Sequence, residues 1–450
     1  MLQNDRTGPG NISKFSITSN GGGGGSGGSA DLSPGVVDYR YYESVFTNNV
    51  SATAAIIETG VGEGPAGKGV LDNLPIRGGE KVEVEVEDAQ KNKIQLNIDL
   101  HVNRVRDADP GTQQDLYFID LASKEFFQNE QTRVTERYEG KISENVGKIV
   151  EDVLGSTLVE NDATTYDLNF YGNTKKPFYM CTWLASRAVP DGAGGGGGSG
   201  STGGSGGGDK GGSGGFLFFQ TREGLYFKSL DKIFGKSSTK KYIYNDTGLP
   251  VAGYDDNILN YTIGSDIDLN QKMMMGSYKN KTVFFDFMAL EYKTVDFDIE
   301  EQDGKATNAG RDFVVVNKDF IKDPSRIFHQ IKDIGTNPKG TGDSQLSEWK
   351  GDKKKPNFEY EKTLVQTIMR YNQMLTVQTN IVIPGDFTIK AGDIVEVDFP
   401  SAESSLTRDK NKQTGGKYMV ASVCHRVTPR ETFTSMGLVR DSFGKKGGFG

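Results

Sequence analysis

The sequence predicts a β-rich α+β protein, with antiparallel sheet at both ends of the chain and a smaller α/β region between them. Apolar and polar residues alternate at 82–102 and again after residue 377, which is the period of strands with one wet face. Between residues 142 and 190 the apolar residues recur at helical spacing instead. The 450 residues are enough for two or more cores, since a domain usually takes about 100–200 residues.

Composition and charge limit the functional classes. The formal net charge is −8, which disfavours a duplex-DNA binder because such a protein needs a basic face to release the counterions of phosphate. Cys181 and Cys424 are too few for a disulfide framework, and two buried thiols are favoured over one bridge. No run approaches about 20 apolar residues, and the first ten residues lack the pattern of a signal peptide. We therefore expect no membrane span and assembly in a host cytoplasm.

The first β-region is predicted from two alternating segments. Residues 34–58 are rich in aromatic and β-branched residues, as half-buried strands are. In "KVEVEVED" three valines face one way and three glutamates the other, and a second segment repeats the alternation. The valines are Val82, Val84 and Val86, the glutamates are Glu83, Glu85 and Glu87, and the second segment has Ile94, Leu96, Ile98, Leu100 and Val102.

Two helices are predicted next. The first ends at Gly155, and the second begins at Pro177 and stops at Pro190. Their apolar stripes are Ile142, Val146, Ile149, Val150 and Val153 in the first helix, and Phe178, Cys181, Leu184 and Ala188 in the second.

Glycine is the unusual part of the composition. The chain has 59 glycines, about twice the usual share of roughly 7%, and many lie in tracts at residues 21–29 and 192–215. The second tract separates the helix that starts at Pro177 from a predicted hairpin at residues 216–230, whose turn contains Gly224. A lone helix and a lone hairpin each need a partner to bury their apolar faces. We therefore expect them to pack together, with the tract interrupting one domain.

The remaining elements are predicted to be strands around one helix. The helix is expected at residues 360–375, with Leu364, Val365, Ile368 and Tyr371 on one face. The strand-like segments are 261–278, 281–299, 312–317, 376–385, 387–400, 416–427 and 432–443. Turn residues separate the last four of them, and a long polar loop lies at 400–416.

No motif predicts catalysis or a cofactor. "GEGPAGKG", Gly62 to Gly69, nearly matches a phosphate-binding loop, but Gly69 stands where a hydroxyl for magnesium is needed. The acidic run at residues 296–304 has Gln302 where a calcium loop needs an acidic ligand. We predict a solvated loop in both places.

The histidines and cysteines are also predicted to be structural. His101, His329 and His425 are isolated in sequence, which does not match the spacing of a zinc site. Cys424 and His425 are adjacent in a strand, so their side chains point to opposite faces. We assign no catalytic, cofactor-binding or metal residue and expect that the protein is not an enzyme.

The order of elements resembles a known family. Three C-terminal pieces carry the likeness: "AGDIVEVDF", "GKYMVASVCHRV" and "TFTSMGLVRD". Together with the earlier order of β-region, two helices and hairpin, they resemble the baseplate hub proteins of contractile-tailed (T-even-like) phages and their relatives in bacterial secretion spikes. The long glycine tracts depart from that family.

The resemblance implies a structural role without catalysis or cofactor. Each chain is expected to supply two antiparallel β-barrel-like tube domains, so that a homotrimer forms a pseudo-sixfold ring. This ring would join the tail tube to the central spike in the virion baseplate and line the DNA channel. The implied partners are the spike, the tube or tube-initiator proteins and the surrounding baseplate wedge proteins, with DNA passing unbound. The acidic face at Glu83, Glu85 and Glu87 is a candidate lumen lining, because a negative lumen repels phosphates.

The resemblance also implies domain boundaries. A first tube domain is expected at 1–118, with the glycine tract at 21–29 inside it. An α/β domain follows at 119–255, interrupted by the insertion 192–215, and a connecting α/β region lies at 301–359. The second tube domain is expected to combine 256–300 with 360–445.

Alternative functions remain open at this stage. The glycine tracts favour a distal adhesin or carbohydrate-binding module, since glycine-rich segments pack as extended bundles. Only two tracts occur, however, and the sequence does not reveal the aromatic surface that a sugar binder needs. A tail-associated hydrolase would need a paired acid and base, which no motif marks, and an engineered fusion with synthetic linkers is a further alternative.

Overall fold

Strands dominate the structure, which is a computed structural model. It describes residues 7–20, 28–58, 76–110, 114–191, 213–245, 249–265, 268–287, 290–299, 306–310, 317–332, 358, 360–400, 411 and 413–444, with the backbone alone for 107–110, 265, 318, 361–362 and 364–365. The protein is β-rich with few helices, which confirms the coarse fold class. Among these residues no helix combines the length and the apolar character needed to cross a bilayer.

The described residues from 11 to 123 form an antiparallel sheet of seven strands, which we call the front half of the large sheet. Its strands are β1 (Asn11–Thr18), β2 (Ser29–Asp31), β3 (Val36–Ser44), β4 (Ser51–Glu58), β5 (Lys81–Glu87), β6 (Leu100–Pro110) and β7 (Asp115–Ser123). They pair in the order β3-β4-β7-β6-β5-β1-β2, and a short 3-10 helix, Ser33–Gly35, precedes β3. The sheet curves around a core that includes Phe15, Tyr39, Tyr117 and Ile119.

The alternation predicted for β5 is confirmed. Val82 and Val86 are buried, whereas Glu83 and Glu85 are exposed. The second alternating segment becomes a strand only at Leu100, although its earlier apolar residues also face the core.

Most of the helices that the structure describes lie in the middle of the chain. Its elements are α1 (Lys124–Gln131), β8 (Arg137–Tyr138), α2 (Ile142–Lys148), a π-helical turn (Ile149–Val153), β9 (Leu158–Asn161), β10 (Phe170–Tyr171), α3 (Pro177–Ala185), β11 (Phe216–Thr221), β12 (Gly224–Ser229) and α4 (Leu230–Gly235). β8 pairs with β10, and β11, β12 and β9 form a three-stranded sheet. The predicted helices and hairpin are therefore present, with Gly155 at a φ of 69° just after the first helix and Pro177 opening the second.

Helix α3 packs on the hairpin β11–β12, as predicted. The rings of Phe178 and Phe218 lie 6.0 Å apart, and Cys181 and Leu184 belong to the same buried cluster as Phe227. Residues 192–212 lie outside the described part of the chain, but both flanks of the tract belong to one core. The tract thus interrupts a packing unit and does not join two units.

In the described part of the chain after residue 236, the elements are strands, two α-helices and one 3-10 helix. They are β13 (Lys240–Tyr244), β14 (Asp256–Ile258), β15 (Asn260–Ser265), α5 (Leu269–Met274), β16 (Lys279–Asp286), β17 (Glu291–Asp298), a 3-10 helix (Lys318–Phe320), β18 (Arg326–Ile331), α6 (Tyr360–Met374), β19 (Val377–Pro384), β20 (Ile394–Asp398), β21 (Gly416–Val427) and β22 (Thr432–Arg440).

The back half is built from β13, β14, β15 and the last four strands. Pairing runs β14-β13-β20-β21-β22-β19-β15. Only Leu259 separates β14 from β15, and its N–H donates to the carbonyl of Val382 on β19. The strands surround an apolar core that includes Tyr242, Val395 and Tyr418.

Strand β21 joins the two halves. Its C-terminal part, Ser422–Val427, pairs with Tyr39–Ser44 of β3, while its other edge pairs with β22. In the described part of the chain, 14 strands thereby belong to one hydrogen-bonded sheet. The two β-regions predicted from the sequence are therefore continuous through β21, and the domain boundaries drawn between them stay a prediction.

A separate small sheet has the order β17-β16-β18. β16 and β17 confirm the strands expected in the segment 281–299, of which residues 288–289 lie outside the described part of the chain. Among the described residues of the segment 261–278, however, only those of β15 form a strand. Asp268 accepts a hydrogen bond from the Gln271 N–H at 2.9 Å, and this N-cap opens helix α5 where a strand was predicted.

Candidate assembly surfaces and the junction between the sheets

One carboxylate lies at the junction where β3 meets β21. Glu43, on β3, is 1% exposed. Its Oε1 accepts hydrogen bonds from the Arg222 backbone N–H (2.8 Å) and the Tyr41 hydroxyl (2.9 Å), and its Oε2 accepts one from the Ala391 N–H (2.9 Å). Burial raises the pKa of Glu43, and the Arg222 guanidinium opposes that rise. A buried carboxylate needs hydrogen-bond donors, and Glu43 takes them from the front half, the hairpin and the back half. Its hydrogen bonds therefore fix these three parts relative to one another.

The hairpin turn reaches the back half through a second set of contacts. The Arg222 guanidinium donates to the carbonyls of Phe387 at 2.6 Å and Thr388 at 2.8 Å. From the front half, a carboxylate oxygen of the buried Asp88 accepts from the Phe387 N–H at 3.2 Å. The backbone at Phe387 and Thr388, just before β20, is thus held by the hairpin through Arg222 and by the front half through Asp88.

The same hairpin is also tied to the front half. Gln220 is fully buried. Its Oε1 accepts from the Val50 N–H (3.2 Å) and the Ser123 hydroxyl (2.6 Å), and its Nε2 donates to Glu125 (2.9 Å). All three parts of the chain therefore meet in one buried polar set, which we call the junction cluster: Glu43, Asp88, Gln220, Arg222 and His425.

His425 completes the junction cluster in its neutral form. Its Nε2 lies 3.0 Å from the Ile389 carbonyl and its Nδ1 lies 3.0 Å from the Thr434 hydroxyl. A carbonyl only accepts, so Nε2 carries the hydrogen and Nδ1 accepts. The ring stacks on Tyr41 at 6.3 Å. Burial, with Arg222 nearby, lowers the pKa of His425 to about 3.

A second buried charge set holds helix α6, which we call the Arg370 clamp. Arg370 is fully buried and contacts Asp441 at 2.6 Å and Asp231 at 3.1 Å. It also donates to Asn308 at 3.3 Å, and Asp231 accepts the Ser213 N–H at 2.9 Å. Burial raises the pKa of Asp231, and the arginine opposes that rise. The clamp thus joins α4, α6, the end of β22 and the exit of the glycine tract.

The small sheet presents an exposed apolar face. Register places Phe285 of β16 beside Tyr292 of β17 and Ile331 of β18, so their side chains share one face. Tyr292 is 71% exposed and Ile331 is 62% exposed. The rings of Phe285 and Tyr292 lie 4.8 Å apart. Exposed apolar clusters of this kind are typical of interaction surfaces.

The wet face of β5 carries charges of both signs. Lys14 of β1 pairs with Glu83 at 2.5 Å, and Lys93 pairs with Glu87 at 3.0 Å. These ion pairs lie on the surface, where such pairs contribute little to stability. The face predicted to be acidic is therefore partly neutralised by lysines.

The residues considered for chemistry lie on different elements, apart from the adjacent pair Cys424 and His425. His101, on β6, donates from Nδ1 to the Gly79 carbonyl at 2.9 Å, and His329 is exposed on β18. Cys424 and His425 do point to opposite faces, since His425 is buried and Cys424 is half-buried. Cys181 and Cys424 are free thiols, and burial raises the pKa of both.

Four further predictions fall wholly or mostly outside the described residues, among them the strand at 312–317 and the polar loop at 400–416. The loop Gly62 to Gly69 and residues 300–304 of the acidic run lie outside the described residues. Within the part of the chain that the structure describes, no three His, Cys, Asp or Glu residues are grouped to hold a metal ion. The absence of catalysis and of a cofactor stays a prediction.

Sequence reasoning missed both buried charge sets. Glu43 and Arg222 are 179 positions apart, so local periodicity carries no sign of their contact. Arg370 had no local signal either. At 100° per residue it lies on the side of the helix away from the predicted apolar face of Leu364, Val365, Ile368 and Tyr371, where a cation is expected to be solvated.

The fold is similar to those of phage tail proteins. A tail protein from Neisseria meningitidis superposes with a TM-score of 0.51 at 8% identity, covering 95% of this chain and 96% of its own. The 43 kDa tail protein of prophage MuSo2 from Shewanella oneidensis gives 0.47 at 11% identity, covering 96% and 100%. The prophage tail protein gp18 from Listeria monocytogenes gives 0.44 at 8% identity, covering 94% of each.

These identities are too low to show more than the fold. No protein-family model and no curated protein matches the sequence. The likeness to the first of these structures, over nearly the full length of both chains, confirms the coarse part of the resemblance, the fold of a tail protein.

Proposed function

We propose that this protein is a structural hub of a contractile phage baseplate. Three copies form a pseudo-sixfold ring that joins the tail tube to the central spike and surrounds the DNA channel. The observation that carries the proposal is the pairing of β3 with β21, which holds two β halves in one sheet. A ring of three such chains contains six β halves, so it matches a sixfold tube on one side and a threefold spike on the other. The tail-protein fold supports this role.

The strand pairing of the back half supports a barrel-like tube domain. β14 pairs with β13, and after one residue β15 pairs with β19. Hydrogen bonding therefore runs from strand to strand around the core of the back half. Such pairing leaves few unpaired edges inside a subunit, so contacts between subunits fall mainly to the front half.

Strand β2 is the edge at which we place the contact with the next copy. It ends the strand order of the large sheet in the described part of the chain. The Leu32 N–H bonds to Phe15 of β1, so by alternation the N–H groups of Ser29 and Asp31 point away from β1. An outward row of donors and acceptors is a template for a neighbouring strand.

The oligomeric state tests the ring. Native mass spectrometry is expected to give three times the 49.1 kDa mass of one chain, and electron microscopy is expected to show a ring with a central channel. A species that stays monomeric or dimeric at all concentrations contradicts the proposal.

A proline variant tests the edge separately. Ser29→Pro removes an outward N–H without removing a bond to β1, so it is expected to weaken the trimer while the thermal unfolding of the monomer stays nearly unchanged. Ser29→Ala is the matched control and is expected to assemble normally. If Ser29→Pro assembles as well as Ser29→Ala, the ring closes at another edge.

The lumen assignment of β5 remains part of the proposal. Its support is the exposure of Glu83 and Glu85 on one face, and the lysine pairs on that face reduce the net negative charge. Imaging of the assembled ring decides it. If this face lies on the outer wall of the ring, the lumen assignment is wrong, but the ring proposal is unaffected.

A further inference from the structure

An aromatic groove lies on the middle region, away from the junction cluster. It has a volume of about 350 Å³ and lies between strand β10, the turn that follows it and helix α3. Tyr171 is 43% exposed and Tyr179 is 55% exposed, and Trp183 and Tyr360 complete the aromatic lining. Sequence reasoning missed this group because nearly 180 residues separate Trp183 from Tyr360 along the chain.

Polar groups lie at the rim of the same groove. Asn173 and Lys175 are exposed lining residues, and the Lys175 ammonium lies 5.6 Å from the centre of the Tyr179 ring. Each tyrosine also has a hydroxyl beside its apolar ring face. The groove therefore combines ring faces with amide, ammonium and hydroxyl groups.

The turn at the rim has an unusual backbone. Asn173 and Thr174 have φ values of 48° and 55°, in the left-handed region that a β-branched residue rarely adopts. The surrounding chain holds it there, because the Gly172 N–H bonds to Glu136 at 3.0 Å and the Val134 N–H bonds to Lys175 at 2.8 Å. Strained backbone of this kind is concentrated at ligand sites, and here it sets the position of Asn173 and Lys175.

We propose that this groove binds a saccharide. A pyranose ring has an apolar C–H face and a rim of hydroxyls, which match an exposed tyrosine ring flanked by hydrogen-bonding side chains. The volume lies at the small end for ligand pockets, which fits a short oligosaccharide. The exposed ammonium disfavours a cationic ligand, and the polar rim fits a saccharide better than it fits the apolar rings of a proline-rich peptide.

This inference is independent of the hub proposal. If the protein forms the ring but binds no sugar, only the saccharide proposal is contradicted. If it binds sugar but stays monomeric, only the hub proposal is contradicted.

The test uses the full chain with Trp349→Phe, which leaves Trp183 as its one tryptophan. The fluorescence of Trp183 and saturation-transfer NMR follow the titration of two trisaccharides at millimolar concentration, one of N-acetylglucosamine and one of glucose. The first stands for the amino sugars of cell walls and the second for neutral polysaccharides. A decaproline peptide is the third ligand.

Binding of at least one trisaccharide is the expected result. Tyr171→Ala and Tyr179→Ala are each expected to weaken it roughly three- to tenfold, while the phenylalanine variants at these positions keep most of the affinity. Tyr292→Ala, which removes an exposed tyrosine outside the groove, is the matched control and is expected to bind normally. Binding of neither trisaccharide, binding of decaproline alone, or equal affinity in the alanine variants overturns the proposal.

Discussion

The junction cluster buries charged and polar side chains, whereas the small sheet exposes apolar ones. At the junction, Glu43 is 1% exposed and its oxygens accept from three donors. On the small sheet, Tyr292 and Ile331 are 71% and 62% exposed. Buried charges that are fully hydrogen-bonded fix the geometry within one chain. Exposed apolar side chains stabilise the folded chain little, but they contribute free energy when a partner surface covers them. Substitutions at the two buried charge sets, the junction cluster and the Arg370 clamp, are therefore expected to cost much more stability than substitutions on the small sheet.

The largest effect is expected at the Arg370 clamp. Arg370→Met leaves Asp231 and Asp441 buried without their cation, which we expect to lower the free energy of unfolding by about 3–5 kcal/mol. Lys281→Met on the small sheet is the matched control, because Lys281 pairs with Asp296 at 3.4 Å near the surface. Its expected cost is under about 1 kcal/mol. Urea unfolding measures both, and similar costs would contradict the comparison.

A somewhat smaller effect is expected at Glu43. Glu43→Ala leaves three buried donors without an acceptor, so we expect a loss of about 3 kcal/mol. Glu43→Gln keeps a carbonyl oxygen at the site and should lose clearly less. Equal losses in the two variants would show that the hydrogen bonds to Glu43 are not the source of its contribution.

The pH dependence of stability isolates His425. Its pKa is about 3 when folded, below the usual 6.5, so the unfolded chain takes up the proton first as the pH falls. The stability therefore decreases between pH 6.5 and about 3, by about 2 kcal/mol at pH 5. His425→Gln should remove this part of the slope when thermal or urea unfolding is compared at pH 7 and pH 5. A slope unchanged in the variant would show that His425 titrates normally.

The smallest effect is expected on the exposed face of the small sheet. Tyr292→Ser and Ile331→Ser are expected to change the free energy of unfolding by no more than about 0.5 kcal/mol, because exposed side chains lose little contact. The same urea experiment measures it. A loss comparable to that of Glu43→Ala would mean that this face is covered in the folded chain.

Local pattern predicted much of the fold. The alternation at residues 81–87 and the start of α3 at Pro177 are fixed by neighbouring residues, and both predictions are confirmed. The pairing of β3 with β21 joins residues more than 370 positions apart, and periodicity says which face of a strand is buried but not which strand lies beside it. The strand predicted through residues 269–274 is wrong because the Asp268 cap was not recognised.

The polar sites were harder to predict than the sheets. Glu43, Gln220 and Arg222 look like ordinary surface residues in sequence, and only tertiary packing makes them partners. The aromatic groove likewise assembles from Tyr171, Trp183 and Tyr360 in separate elements. Local residue spacing does not predict such contacts between distant elements.

The attachment of the glycine tract has a practical consequence. Its two ends meet, since the Gly215 N–H bonds to the Ala188 carbonyl at 3.4 Å, and the Asp191 N–H is fixed on Ala163 at 2.9 Å. When the ends of a loop are already side by side, the entropy of closing it grows only slowly with length. A foreign domain spliced in between these anchors therefore leaves the surrounding core intact, which makes this point of the chain a natural place to display cargo.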